Sequence, residues 1–163
     1  MKYKKGFTLI ELMVVIAIIA ILAGAVLAIL SSARNKGADA TVKANLVNAQ
    51  RQAEIFYNAN TVAIYTYTNV CTTGPVGVAV TVSALVNAAA KSAGMSIVVS
   101  PNYYAIDATG TLTTATCNDS ASAWAAEVPL KTGTNQMWCV DSTGKSLQET
   151  GSSLSATNDY TCI

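Results

Sequence analysis

Residues 7 to 30, FTLIELMVVIAIIAILAGAVLAIL, are apolar almost without interruption and carry one charge, Glu11. A helix of this length rises about 36 Å, enough to cross the roughly 30 Å hydrocarbon layer of a bilayer. The pattern therefore predicts one membrane span. No turn signal ends it. From Ser31 to Asn60 the chain becomes polar but keeps Val42, Leu46, Ala49, Ala53 and Phe56 at spacings of four, three, four and three, which is one face of an amphipathic helix. The simplest reading is a single long helix, apolar all round over 7–30 and amphipathic over 31–60. Gly24 and Gly37 are its weak points, each costing about 1 kcal/mol relative to Ala.

After Asn60 the period changes and Thr, Ser, Gly and Tyr become frequent. Residues 81–94, TVSALVNAAAKSAG, read as a short second helix ending at Gly94, with Val82, Leu85, Val86 and Ala89 on one face. Strands are expected over 95–100, 103–107, 111–116, 122–131 and 136–141. Asp107 to Gly110 and Asp141 to Gly144 each place Asp first and Gly last in a type I turn. The expected fold class is α+β: one long N-terminal helix packed on a C-terminal antiparallel sheet. Residues 61–163 form its head domain.

The mean hydropathy of +0.38 reflects the N-terminal run. Lys2, Lys4 and Lys5 precede that run, which keeps the N-terminus cytoplasmic and exports everything after residue 34. Arg34 and Lys36 oppose this weakly, with Asp39 beside them. Once those three lysines are set aside, no basic patch remains that would suit nucleic acid. The chain has no His, no glycine-rich phosphate loop and no paired carboxylates at a useful spacing, so no catalytic, cofactor or metal site is expected and the chain is not expected to be an enzyme.

Cys71, Cys117, Cys139 and Cys162 all lie in the exported part, where an oxidising compartment favours two disulfides in one of three pairings. A hairpin around Thr132 to Asn135 would set Cys139 opposite Val128 and leave Cys117 far along its strand, which disfavours a Cys117–Cys139 bridge. Tyr65, Tyr67, Tyr103, Tyr104, Trp124 and Trp138 read as packing for sheet and helix rather than as a sugar platform or an electron path. Asp119, Asp141 and Asp159 are scattered and suit turns better than a calcium site.

The segment KKGFTLIELMVVIAIIAIL, residues 4 to 22, resembles the N-terminal signal of type IV prepilins and of the related type II secretion pseudopilins. Its marks are a basic leader ending in Gly6, then Phe7, Thr8 and Leu9, then Glu11 as the fifth residue of an apolar helix. The resemblance implies a pilin-like fold and a structural subunit of a type IV pilus, with a type II secretion pseudopilin as the alternative. It further implies that a prepilin peptidase removes residues 1–6, cutting between Gly6 and Phe7, and methylates the new amine of Phe7. The implied partners are other copies in a helical filament, the pilus assembly platform, minor pilins and inner-membrane lipid. The subunit would sit in the inner membrane before assembly and in a cell-surface filament afterwards.

Glu11 is the implied assembly residue. A carboxylate in an apolar span costs about 2.5 to 3.5 kcal/mol on insertion scales. The resemblance supplies a partner, the α-amine of Phe7 on a neighbouring subunit, which would set the axial register; otherwise Glu11 reaches the interface. Many type IV pilins carry a Pro in the second half of the run, and here only Gly24 offers a weak point. The resemblance also suggests a Cys139–Cys162 bridge bounding a C-terminal loop, leaving Cys71–Cys117, although the other pairings stay open. A secreted adhesin cleaved after Ala23-Gly24-Ala25 is the rival reading. The length of the run and the presence of Glu11 stand against it.

Overall fold

The computed structural model describes residues 6–59, 65–72, 80–96 and 102–163. They form α1 (Leu9–Ala59), α2 (Val82–Ala93), β1 (Tyr104–Ile106), β2 (Ala115–Asp119), β3 (Trp124–Pro129), β4 (Gln136–Asp141) and β5 (Ser146–Thr150). The chain divides into two compact units, one reaching to Asn35 and one from Lys36 to Ile163.

In the first unit, α1 is the one helix among the described residues that is long and apolar enough to cross a membrane. Every side chain described between Gly6 and Leu30 is exposed, so this apolar surface is covered by none of the described residues. The helix passes through Gly24 and Gly37 without a break.

In the second unit the amphipathic stripe is buried. Val42, Leu46, Ala49 and Ala53 are 0% exposed and Phe56 is 8% exposed. Asp39 extends the stripe by one turn and accepts the N–H groups of Lys131 (2.6 Å) and Thr132 (2.9 Å) as well as the Thr132 hydroxyl. One buried carboxylate thus satisfies the β3–β4 turn. Gln50 does the same for the next turn, donating from Nε2 to the carbonyls of Asp141 and Lys145, both at 2.9 Å.

α2 is bounded as its sequence predicts. Thr81 accepts the Ala84 N–H at the N-cap, and Gly94 closes the end at φ +82°. Val82, Val86, Ala89, Ala90 and Ala93 are its buried residues.

The sheet has the order β1-β2-β3-β4-β5. β2 to β5 pair antiparallel, but β1 pairs parallel with β2, so the sheet is mixed and not wholly antiparallel. Strand alternation separates two buried layers. Tyr104, Ala115, Cys117, Trp124, Ala126, Val128 and Val140 join the core formed with α1 and α2. Thr116, Asn118, Ala125, Glu127, Met137, Cys139 and Asp141 are buried on the other face, beneath the segment that follows β5.

Several expectations shift. The strand expected over 111–116 lies at 115–119, because Thr111 to Thr114 close a small turn of their own. The strand expected over 122–131 is shorter, at 124–129, and that over 103–107 covers 104–106. Met95 and Ser96 belong to no strand, and 97–100 lie outside the described residues. β5 was not anticipated. Asp141 to Gly144 forms the expected turn, with the Gly144 N–H on the Asp141 carbonyl at 3.3 Å. Asp107 to Gly110 does not: Asp107 adopts φ +46°, and the Gly110 N–H donates to Leu154 O at 2.7 Å. A parallel crossover replaces the hairpin that such a turn would close. Cys139 stands opposite Glu127, one residue from the expected Val128.

Candidate functional site

Gly6 and Phe7 precede α1 in a non-helical stretch, and both are exposed, Phe7 to 84%. The next four residues, Thr8 to Glu11, build the helix start. Thr8 is the cap: its hydroxyl oxygen accepts the Glu11 N–H at 3.3 Å. Glu11 Oε2 reaches back to accept the Thr8 N–H at 2.9 Å and the Thr8 hydroxyl at 2.8 Å. This reciprocal arrangement is a capping box, which satisfies donors that a helix start otherwise leaves open. Glu11 therefore has a partner inside its own chain, a role the sequence reading missed although the Thr-x-x-Glu spacing signals it. Phe7, Ile10, Val14 and Val15 line a shallow, open apolar recess together with the exposed Glu11. Among the described residues all the Glu11 side-chain bonds fall on Oε2 and none on Oε1.

Ala23-Gly24-Ala25 lies inside α1. No end of secondary structure marks it.

In the head, disulfides join Cys71 to Cys117 and Cys139 to Cys162, with Cα separations of 5.7 and 5.8 Å. They lie on opposite faces of the sheet, because Cys117 points to the helix side and Cys139 to the other. Around the first, the Tyr104 hydroxyl donates to Cys71 O at 2.5 Å, and burial pushes the phenol up to about 12. Asp119 accepts the N–H groups of Asn69 (2.6 Å) and Cys71 (3.2 Å), yet burial still raises its carboxyl above the ordinary value. Around the second, Asp141 accepts Cys162 N–H at 2.9 Å and Lys145 Nζ donates to Cys162 O at 2.5 Å. Asn118 donates to the carbonyls of Ala156 and Asp159, at 3.2 and 3.3 Å. The segment after β5 forms no strand, and side chains of the sheet bind its backbone groups instead.

The three aspartates weighed for calcium do not converge. Asp119 holds the 69–71 turn, Asp141 the 142–145 turn and Cys162, and Asp159 its own loop through the Ser155 N–H and hydroxyl. Cys139, Cys162 and Glu149 lie close enough to share a metal, but the disulfide occupies both sulfurs. Most of the aromatics pack. Trp124 and Tyr104 are fully buried, Lys43 lies over Trp138 at 4.6 Å, and Tyr57, which the sequence reading did not single out, stacks between Tyr65 and Tyr67.

Residues 1–27 match the family model described as the prokaryotic N-terminal methylation motif. The chain is 48% identical over 56 residues to the type IV wide pilus major component PilA4 of Thermus thermophilus. That match covers 34% of this chain and 43% of the relative, so the chain spans less than half of the relative's length. No solved structure matches the chain.

Proposed function

From the methylation motif over residues 1–27 and the partial likeness to a pilus major component, we infer that this chain is a structural subunit of a type IV pilus, polymerising through the apolar half of α1. The observation that supports this reading is the run from Phe7 to Leu30, exposed at every described side chain, headed by the methylation motif and holding a single carboxylate near its start. An apolar surface that none of the described residues covers needs lipid or further copies. One surface suits both states. Repeated through a non-closing head-to-tail contact, it generates an open helical array.

In this reading a prepilin peptidase cuts between Gly6 and Phe7, a bond outside the helix and open to solvent, and methylates the Phe7 amine. Glu11 then pairs with the Phe7 amine of a neighbouring copy in the filament core. Inside an apolar core such a pair specifies register more than it adds net stability. The subunit awaits assembly in the inner membrane with its head exported, and the assembly platform and minor pilins are its partners. The type II secretion alternative shares the N-terminal signal; the resemblance to a pilus major component favours the pilus.

Intact mass and N-terminal sequencing of the protein from its producing cells test the reading. A start at N-methylated Phe7 supports it. A start at Val26 makes the chain a soluble secreted domain and overturns it.

A further inference from the structure

The charges of the head divide between its two ends. At the end where α1 enters, Lys36 is exposed, and one turn later Asp39 binds the N–H groups of Lys131 and Thr132. Lys131 Nζ in turn lies 3.3 Å from the place a Cβ would take at Gly94, the cap of α2. Lys91 stands in the last turn of α2, its Nζ 5.9 Å from the centre of the Tyr103 ring. Three elements thus bring Lys36, Lys91 and Lys131 to one end, each of them exposed. Among the described residues none of their ammonium groups forms an ion pair. Asp39, the acid among them, is 4% exposed and committed to the turn.

The far end is acidic. Gln50, about 21 Å further along α1 than Lys36, reaches the Asp141 carbonyl there. The Asp119 N–H donates to Asp107 Oδ1 at 3.0 Å, Asn118 binds Asp159 O, and Glu54 follows Gln50 by one turn. Among the described residues the cations at this end are Arg51 and Lys145. Glu127 and Glu149 lie on the other face of the sheet, where Ser152 to Leu154 and Ile163 bind them.

We propose that the basic end is a docking surface for anionic phospholipid headgroups of the bilayer that holds the apolar half of α1, an inference that rests on the membrane reading above. Lys36 follows Leu30 by about 9 Å of helix, and helical side chains lean back toward the N-terminus. Its ammonium therefore returns toward the headgroup layer, roughly 5 to 7 Å deep outside the hydrocarbon. Attraction to an anionic surface fades within about 8 Å at physiological salt, so it acts on this end and not on Arg51 or Lys145. Tyr103 adds a half-buried ring with a polar tip, a form suited to a membrane interface. The far end of a second copy fits less well, because its acids are engaged at home. Asp119 holds Asn69 and Cys71, Asp141 its turn and Cys162, Asp159 Ser155, and Glu54 Tyr67.

The full chain, reconstituted in vesicles of phosphatidylcholine alone or with about one-third phosphatidylglycerol, tests this. Exposed lysines are acylated with a reagent that does not cross the bilayer and are mapped by mass. Labelling of Lys36, Lys91 and Lys131, each relative to Lys145 of the same head, is expected to fall about fivefold in the anionic vesicles and to recover at about 0.5 M salt. Equal ratios in the two lipids overturn the proposal. Protection confined to Lys36 does so too, since the span alone brings that residue near lipid. Protection that follows the protein-to-lipid ratio and not the phosphatidylglycerol gives these lysines to a second copy and also overturns it. Carbonate extraction of the same vesicles separates the two readings. A chain stripped from them overturns the membrane span, and a chain that stays but labels alike in both lipids overturns the lipid surface alone.

Discussion

Thr8 and Glu11 exchange hydrogen bonds across the first turn of α1, at 2.8 to 3.3 Å, so the one charge in the apolar run is already engaged before any neighbour arrives. The cap and the register role can therefore be separated. Thr8→Ala removes the cap at a cost of about 1 kcal/mol of local helix stability but keeps the carboxylate, and it is expected to insert and to assemble near the wild-type level. Glu11→Ala is expected to insert normally and to yield no filaments. Sedimentable filaments, compared with carbonate-resistant membrane subunit, read both. If Thr8→Ala is as defective as Glu11→Ala, the cap and not intersubunit pairing explains the effect.

Asp39 is a buried acid whose bonds all go to the β3–β4 turn. Asp39→Ala leaves those donors without an acceptor in a site water does not reach, at about 1 to 3 kcal/mol for each unsatisfied group. A total loss of about 3 kcal/mol is expected, with a smaller loss for Asp39→Asn, which keeps one acceptor oxygen. Urea unfolding of the full chain in detergent, followed by Trp124 and Trp138 fluorescence, measures it. A loss under about 1 kcal/mol shows that the turn finds its bonds elsewhere.

Periodicity is strongest where one face meets a core, and there the sequence was legible. Val42, Leu46, Ala49, Ala53 and Phe56 recur at helical spacing and are all buried, and β4 lies where its alternation places it. Thr81 and Gly94 bound α2 through local hydrogen bonds and a positive φ, chemistry that needs no tertiary context. β5 failed for the opposite reason. SLQET is polar and half-exposed at an edge, and it becomes a strand only because β4 offers a ladder. The loop that joins the parallel β1–β2 pair is held by the Gly110 N–H on Leu154 O, a contact between distant parts of the chain. At the N-terminus the motif is plain, while the Thr8 cap is less legible because its Thr-x-x-Glu spacing lies within the apolar run, where the charge of Glu11 already has a reading as an intersubunit partner.

The two disulfides are expected to differ in what they hold. Cys71–Cys117 closes a sequence separation of 46 and Cys139–Cys162 one of 23. The chain-entropy model gives about 4 and about 3 kcal/mol respectively. Replacing both Cys71 and Cys117 by Ser is expected to lower the melting temperature of the whole head, since that bridge lies in the core under Tyr104. Replacing Cys139 and Cys162 is expected to release the 151–163 segment first, because only hydrogen bonds to Asp141, Lys145 and Glu149 then hold its end. Limited proteolysis with mass analysis distinguishes them. Early cleavage after β5 in the first variant but not the second reverses the assignment.

Gly110 and Glu127 compete for one volume. A Cβ at Gly110 would overlap Glu127 Oε1 and Ser152 Oγ, and Glu127 is walled in on β3. Gly110→Ala is therefore expected to destabilise by about 1 to 3 kcal/mol, as other overpacked sites do. Glu127→Ala removes the acceptor that holds Ser152 to Leu154 and is also destabilising by itself, but it vacates the space a methyl at position 110 needs. The double variant is then expected to lose less than the sum of the two single losses, with a coupling of about 1 kcal/mol or more. Additive losses would place the cost of Gly110→Ala in the crossover backbone, not in the contact with the carboxylate.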